Sequence, residues 1–147
     1  MEKSLSVAAI ENGTVIDHIP AGQGMRIVRL LQLADHKHRV TLGLNLPSKG
    51  LSYKDLIKVD GREISEQEAN QIALFAPKAT LNIIRDYKIE KKFTVVFPEM
   101  ISKVLPCPNQ KCITNHEQST PRFSVNRYGK KVMLQCIYCQ TGFDHDA

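Results

Sequence analysis

Residues 65–84 read SEQEANQIALFAPKATLNII, and the fold turns on how this stretch divides. Ser65 and Glu68 stand three apart, the spacing of a capping box. The serine oxygen can accept from the amide of Glu68 while the glutamate reaches back to the amide of Ser65. Ala69, Ile72, Ala73 and Ala76 follow at helical spacing as an apolar stripe. Pro77 ends the helix, since it lacks an amide hydrogen and its ring clashes with the preceding turn. Ala79 to Ile89 then reads as one long strand.

Upstream, the pattern alternates between strand and helix. Leu5 to Ile10 is a short strand candidate closed by Asn12-Gly13. Thr14 to Ile19 is rich in β-branched residues and stops before Pro20. Gly24 to Leu33 predicts a helix with Ile27, Val28 and Leu31 on one face. Val40, Leu42, Leu44 and Leu46 alternate with Thr41, Gly43 and Asn45, the period of a strand with one buried face. Asp55 to Val59 predicts a further strand that turns at Asp60-Gly61. The order is β-α-β-β-α-β with an extra strand near the start. That order predicts an α+β domain: a mainly antiparallel sheet with two helices on one face, as in ferredoxin-like architectures.

Downstream the character changes. All four cysteines lie in the last 41 residues, and apolar patterning thins. Pro98 would interrupt a central strand or helix, so the expected boundary divides residues 1–98 from residues 99–147. Cys107 and Cys112 are separated by four residues, Cys136 and Cys139 by two, and the pairs by 23. Two such knuckles brought together by a hairpin give a tetrahedral four-sulfur site with no open position, which is a structural centre. A segment of ~50 residues needs such a staple, because its own core is small. One structural zinc ion per chain is expected, in a small all-β domain. Spacing alone also admits iron. A dithiol redox site would need one CxxC, not two paired knuckles. His116 and His145 are nearby spare ligands.

Composition narrows the partners. The chain has 147 residues, 42% hydrophobic and 24% charged, which is a globular balance. Its formal charge of +5 favours an anionic partner. Tryptophan is absent and aromatics are 6%, a thin supply for stacking many bases. No stretch approaches the ~18 apolar residues of a membrane span, and no secretory signal opens the chain, so a cytoplasmic protein is expected.

Asp17-His18 is an acid-base pair that invites a catalytic reading. Strand alternation would send the two side chains to opposite faces, so Asp17 could not orient the imidazole. No nucleophile elbow, P-loop or dinucleotide fingerprint accompanies them. As a binding pair they suit an oxygen-rich ligand, with Lys54, Lys58, Lys91 and Lys92 as point charges for phosphates. A local pairing that shapes the turn before Pro20 accounts for the two residues equally well.

Five segments, taken in order, carry a resemblance: GTVIDHIP (13–20), VTLGLNLPS (40–48), KDLIKV (54–59), ALFAPKATLN (73–82), and CPNQKC with CIYC (107–112 and 136–139). Together they resemble the regulatory chains of aspartate carbamoyltransferase. The resemblance implies an N-terminal allosteric domain that binds nucleoside triphosphates, ATP activating and CTP inhibiting, with UTP adding to CTP in some members. It implies a C-terminal zinc domain that contacts the catalytic chain, regulatory homodimers joined to catalytic trimers, and no catalysis by this chain. It places the backbone of Ala9 and Ile10 at the base, Asp17 at the ribose with His18 beside it, and Lys58 at ribose and base. Lys92 would face the phosphates, while Asn82, Ile84, Tyr87 and Ile89 would line the pocket. Cys107, Cys112, Cys136 and Cys139 would hold the zinc. Familiar members carry Glu at Asp60, Asn at Lys111 and Glu at Gln140, so contacts near the cysteine knuckles are expected to differ. Alternation along one strand would put Asn82 and Ile84 opposite Tyr87 and Ile89, so that strand must twist, bulge or end between them. A zinc-ribbon protein that binds nucleic acid is the competing reading. On the resemblance, neither nucleic acid nor membrane is a partner.

Overall fold

The computed structural model describes residues 9–35, 37–49, 52–102, 105–117, 119–129 and 131–144. The chain divides into two compact units, Met1–Val96 and Phe97–Ala147.

The first unit contains β1 (Gly13–Pro20), α1 (Gly24–Leu30), β2 (Val40–Pro47), β3 (Tyr53–Asp60), α2 (Glu66–Asn70), β4 (Thr80–Arg85) and β5 (Lys88–Thr94). The five strands form one sheet in the order β2-β3-β1-β4-β5, with every pairing antiparallel. Thr14 pairs with Val59 and Ile83, and Ile16 with Ile57 and Leu81, so these six share one face. All six are buried. Both helices meet that face. The Gly24 amide donates to Asp55, two residues along β3 from Ile57. Lys91, the register partner of Ile83, pairs with Glu66 of α2 at 2.8 Å. Ile27, Ile64, Ala69 and Ile72 complete the core. Each large apolar side chain buried there stabilises the fold by ~1.5–3 kcal/mol.

The α+β class stands, with changes in its parts. Residues 5–8 of the expected first strand lie outside the described residues, and Ala9 and Ile10 are not in a strand. The additional strand is instead β5. The expected strand from Ala79 to Ile89 is a hairpin, because Asp86 and Tyr87 take φ of 51° and 65° between paired residues Arg85 and Lys88. Two left-handed residues make a type I′ turn, whose twist matches that of the flanking strands. α1 ends at Leu30, short of the expected Leu33, in a Schellman cap. Gln32 has φ 53°, its amide donates to the Arg29 carbonyl, and the Leu33 amide donates to the Val28 carbonyl. β2 lies at the sheet edge, and the single apolar face expected of Val40, Leu42, Leu44 and Leu46 is broken by a bulge: Leu42 pairs with Ile57 but Leu46 with Lys54, on the other face, and Leu44 is 47% exposed. The capping box forms as read, with Glu68 N donating to Ser65 Oγ at 3.1 Å and Ser65 N to Glu68 Oε1 at 3.3 Å. α2 nevertheless runs only five residues before tightening into a 3-10 turn, Gln71–Leu74.

Among its described residues the second unit is all-β apart from one 3-10 turn, Ile113–Asn115. β6 (Met100–Ser102), β7 (Arg122–Tyr128), β8 (Lys131–Cys136) and β9 (Gly142–Asp144) form an antiparallel sheet in sequence order. Ile101, Phe123, Val132 and Leu134 are its buried apolar residues, and Phe123 meets Phe143 edge-to-face at 5.5 Å. No helix among the described residues is long and apolar enough to cross a membrane.

Candidate functional site: a four-thiol centre and the open sheet face

The four cysteine sulfurs all lie within 4.8 Å of one another. Cys107 and Cys139 are 3.7 Å apart, as are Cys112 and Cys136. Zinc–sulfur bonds of ~2.3 Å in a tetrahedron give sulfur–sulfur edges of ~3.8 Å, so the four thiols fit zinc as they stand. Local turns build this geometry. The Cys112 amide donates to the Asn109 carbonyl, and the Gln140 amide donates to the Cys136 carbonyl with Gln140 at φ 62°. Asn115 Nδ2 braces the first knuckle by donating to the carbonyls of Cys107 and Asn109.

Two threonines tune the sulfurs. Thr114 Oγ1 lies 3.1 Å from Cys112 Sγ, and Thr141 Oγ1 lies 3.3 Å from Cys139 Sγ. The Thr114 side chain and amide hold the Cys112 thiol below its ordinary value. Thr141, with Asn109, holds the Cys139 thiol at about 6. Burial pushes the Cys107 thiol up to about 12. Metal ligation requires thiolates, so the threonines favour the form that binds. Cysteine spacing gave no sign of them; each follows a knuckle cysteine by two residues, which is the only signal in the sequence. His116 is not drawn into the site: its Nε2 meets the Gln110 carbonyl at 2.7 Å. His145 lies outside the described residues.

In the first unit, the sheet face opposite the helices collects the other expected residues. Lys58 is the register partner of Val15, Val15 of Asn82, and Asn82 of Lys92. Lys58, Asn82 and Lys92 therefore stand in one row across four strands, ~14 Å from end to end at ordinary strand spacing. One row towards the start of β1, Ile84 pairs with Ile89; one row the other way, Asp17 pairs with Thr80. A register shift opposite Ile83/Ile84 lets Lys92 and Ile89 share a face although they are three apart. The hairpin thus removes the alternation problem between Asn82 or Ile84 and Ile89. Tyr87 sits in the turn itself, 67% exposed. Its amide donates to the Glu11 carbonyl, and the Asp86 amide donates to Asn12 Oδ1. These bonds hold the segment that follows Ala9 and Ile10 against the same end of the sheet. Ile10 is buried and Ala9 exposed.

Asp17 and His18 do not alternate as expected. The register shifts between Ile16 and Ile19, and His18 has φ 60°. In this bulge His18 Nδ1 lies 2.9 Å from Thr80 Oγ1, the residue that Asp17 faces across the ladder. The His18 amide donates to Asp17 Oδ1 at 2.6 Å, and Lys54 Nζ pairs with the same oxygen at 2.9 Å. Burial by itself raises the Asp17 carboxyl, but the Lys54 hydrogen bond, the His18 amide and the charges of both outweigh it. The carboxyl sits below its ordinary value. Burial lowers Lys58, and the charges of Asp17 and Asp60 act against that shift. The Asn82 Oδ1, shielded from solvent, has no hydrogen-bond partner among the described residues.

The other lysines divide. Lys54 is tied to Asp17, whereas Lys91 points to the helix side and pairs with Glu66. A groove of about 510 Å³ lies on that helix side, but its charges satisfy each other: Arg85 with Glu63 and Glu90, Lys91 with Glu66. Sequence reasoning missed Thr80, an ordinary strand residue until register sets it opposite Asp17. It also missed Asp55, a fully buried carboxylate inside an apolar strand.

A helix-backed antiparallel sheet with an ionic opposite face, followed by a four-thiol metal module, defines a class: a ligand-type α+β domain coupled in sequence to a structural metal domain. The chain belongs to the family of aspartate carbamoyltransferase regulatory chains. Residues 5–96 match the family's allosteric domain and residues 99–147 its metal binding domain. The aspartate carbamoyltransferase regulatory chain of Tolumonas auensis is 49% identical over 97% of this chain and 92% of its own length. Those of Psychromonas ingrahamii and Aeromonas hydrophila are 48% and 46% identical over 99% of this chain, and over 95% and 94% of their own lengths. This is a regulatory, non-catalytic subunit of the enzyme, and its four cysteines are the site of one structural zinc ion.

Proposed function

We propose that the chain is the nucleotide sensor of its enzyme, with ATP activating and CTP inhibiting the first committed step of pyrimidine biosynthesis in the cytoplasm. The observation that carries this is the single face shared by Asp17, Lys58, Asn82, Ile84, Ile89 and Lys92. An acid serves ribose hydroxyls, lysines serve a polyphosphate, and an unpartnered amide oxygen accepts from a base amine. The apolar pair Ile84–Ile89, with Tyr87 and the backbone of Ala9 and Ile10, suits the base. His18 is an auxiliary donor beside Asp17. The zinc unit holds the chain to the catalytic chain, in a holoenzyme of two catalytic trimers and three regulatory dimers.

A nucleotide shifts a pre-existing tense–relaxed equilibrium of the trimers only by its differential affinity for the two states. ATP and CTP share the triphosphate, so lysine contacts supply affinity common to both and the base pocket supplies the sign. Calorimetric titration of the zinc-loaded chain should give saturable binding of each nucleotide. Lys92→Ala should weaken both together. Weakening of one alone would refute the shared-phosphate role, and no saturable binding would refute the reading.

A further inference from the structure

Asp55 is fully buried, and its carboxylate accepts three backbone amides from two separate segments. Oδ2 takes Gly22 N at 3.0 Å and Gly24 N at 2.9 Å, in the turn that leaves β1. Oδ1 takes Asn45 N at 3.0 Å, in edge strand β2. Both neighbours of β3 are irregular here. In β1 the register shifts between Ile16 and Ile19, at the bulge carrying Asp17 and His18. In β2 it shifts between Gly43 and Leu46, where Asn45 has φ 57°. One carboxylate therefore joins the turn that follows the β1 bulge to the bulge of β2, on opposite sides of its own strand, and Asp55 is itself the register partner of Ile19 where the β1 shift ends. The fit is close. A Cβ on Gly24 would stand 2.9 Å from Asp55 Oδ2, tighter than real contacts allow.

We propose that Asp55 is a positioning residue that links the turn leaving β1, just after the Asp17–His18 bulge, to the bulge of edge strand β2, so that nucleotide occupancy at Asp17 and His18 is felt at Asn45. The inference rests on the nucleotide reading above. A rigid carboxylate that holds a different segment on each oxygen ties the two together: movement of the 22–24 turn breaks or drags the bond to Asn45. Charge-assisted bonds to buried amides are the strong kind, and their low-dielectric setting makes an unmade one costly. Such a link becomes coupling only if both ends bias the same pair of states, which is measurable.

Amide NMR of the full-length, zinc-loaded chain titrated with ATP tests it. In the natural chain, the Asn45 and Gly24 amides should shift along the same saturation curve as the Lys92 amide. In Asp55→Asn, which keeps shape and one acceptor, Lys92 should still respond and the Asn45 response should be lost. Gly24→Ala, which displaces the carboxylate without removing it, should weaken the Asn45 response in the same direction. It supplies a second arm if Asp55→Asn does not fold. A silent Asn45 beside a saturating Lys92, or an unchanged Asn45 response in either variant, overturns the link alone. No response at Lys58 or Lys92 overturns the nucleotide reading and the link with it.

Discussion

At the scale of single residues, Asp17 shows how a bulge turns two sequence neighbours into one cluster. Residue types alone offered an acid-base pair, and strict alternation argued the two side chains apart. The positive φ at His18 brings its ring to Thr80, on the side that Asp17 occupies. Nothing in a run such as VIDHIP announces a bulge, since no glycine marks it. The identity of the acid was legible; its partners Lys54 and Thr80 depended on register. Because the folded Asp17 carboxyl lies below its ordinary value of 3.8, its contribution to stability is complete above that value. It is lost as pH falls through the folded value. The Asp17–Lys54 pair should thus persist across the neutral range. Carboxyl-carbon NMR should find a midpoint below 3.8 that rises in Lys54→Met. A natural-chain midpoint at or above that value would contradict the pairing.

Among the elements, legibility followed how local the determining interactions are. The capping box of α2 was readable because donor and acceptor are three residues apart. Strand β1 was readable from its β-branched run. The β4–β5 hairpin was not, because Asp86-Tyr87 lacks the Asn-Gly or Asp-Gly signature of a type I′ turn and the apolar pattern continues through it. Tyr87 at φ 65° holds a left-handed conformation that costs a side chain ~1–2 kcal/mol, a strain retained where a nucleotide base is proposed to sit. Tyr87→Gly should therefore raise unfolding stability by ~1 kcal/mol in urea while weakening ATP and CTP binding. A variant both less stable and unchanged in binding would refute both halves. Edge strand β2 shows the converse: its alternation was legible as far as Leu42, but the bulge at Asn45 puts Leu46 on the other face, opposite Lys54, and no residue in LGLNLP announces it.

For the molecule as a whole, the metal unit was the most legible part, since four thiolates at knuckle spacing leave little freedom. What spacing could not show is the pair of threonines that favour thiolate at Cys112 and Cys139. Cys112→Ser should release zinc on purification and prevent assembly with catalytic trimers, read by metal analysis and sedimentation. A metal-free chain that still assembled would contradict a structural zinc. On the reading proposed above, nucleotides bound to this chain control an enzyme whose reacting groups lie elsewhere. The most direct measurement is reconstitution of the zinc-loaded chain with catalytic trimers, followed by aspartate saturation with and without each nucleotide. ATP should shift the curve to lower aspartate and CTP to higher, with both shifts reduced in Lys92→Ala. Curves that superimpose with and without nucleotide, in a fully assembled holoenzyme, would contradict the account.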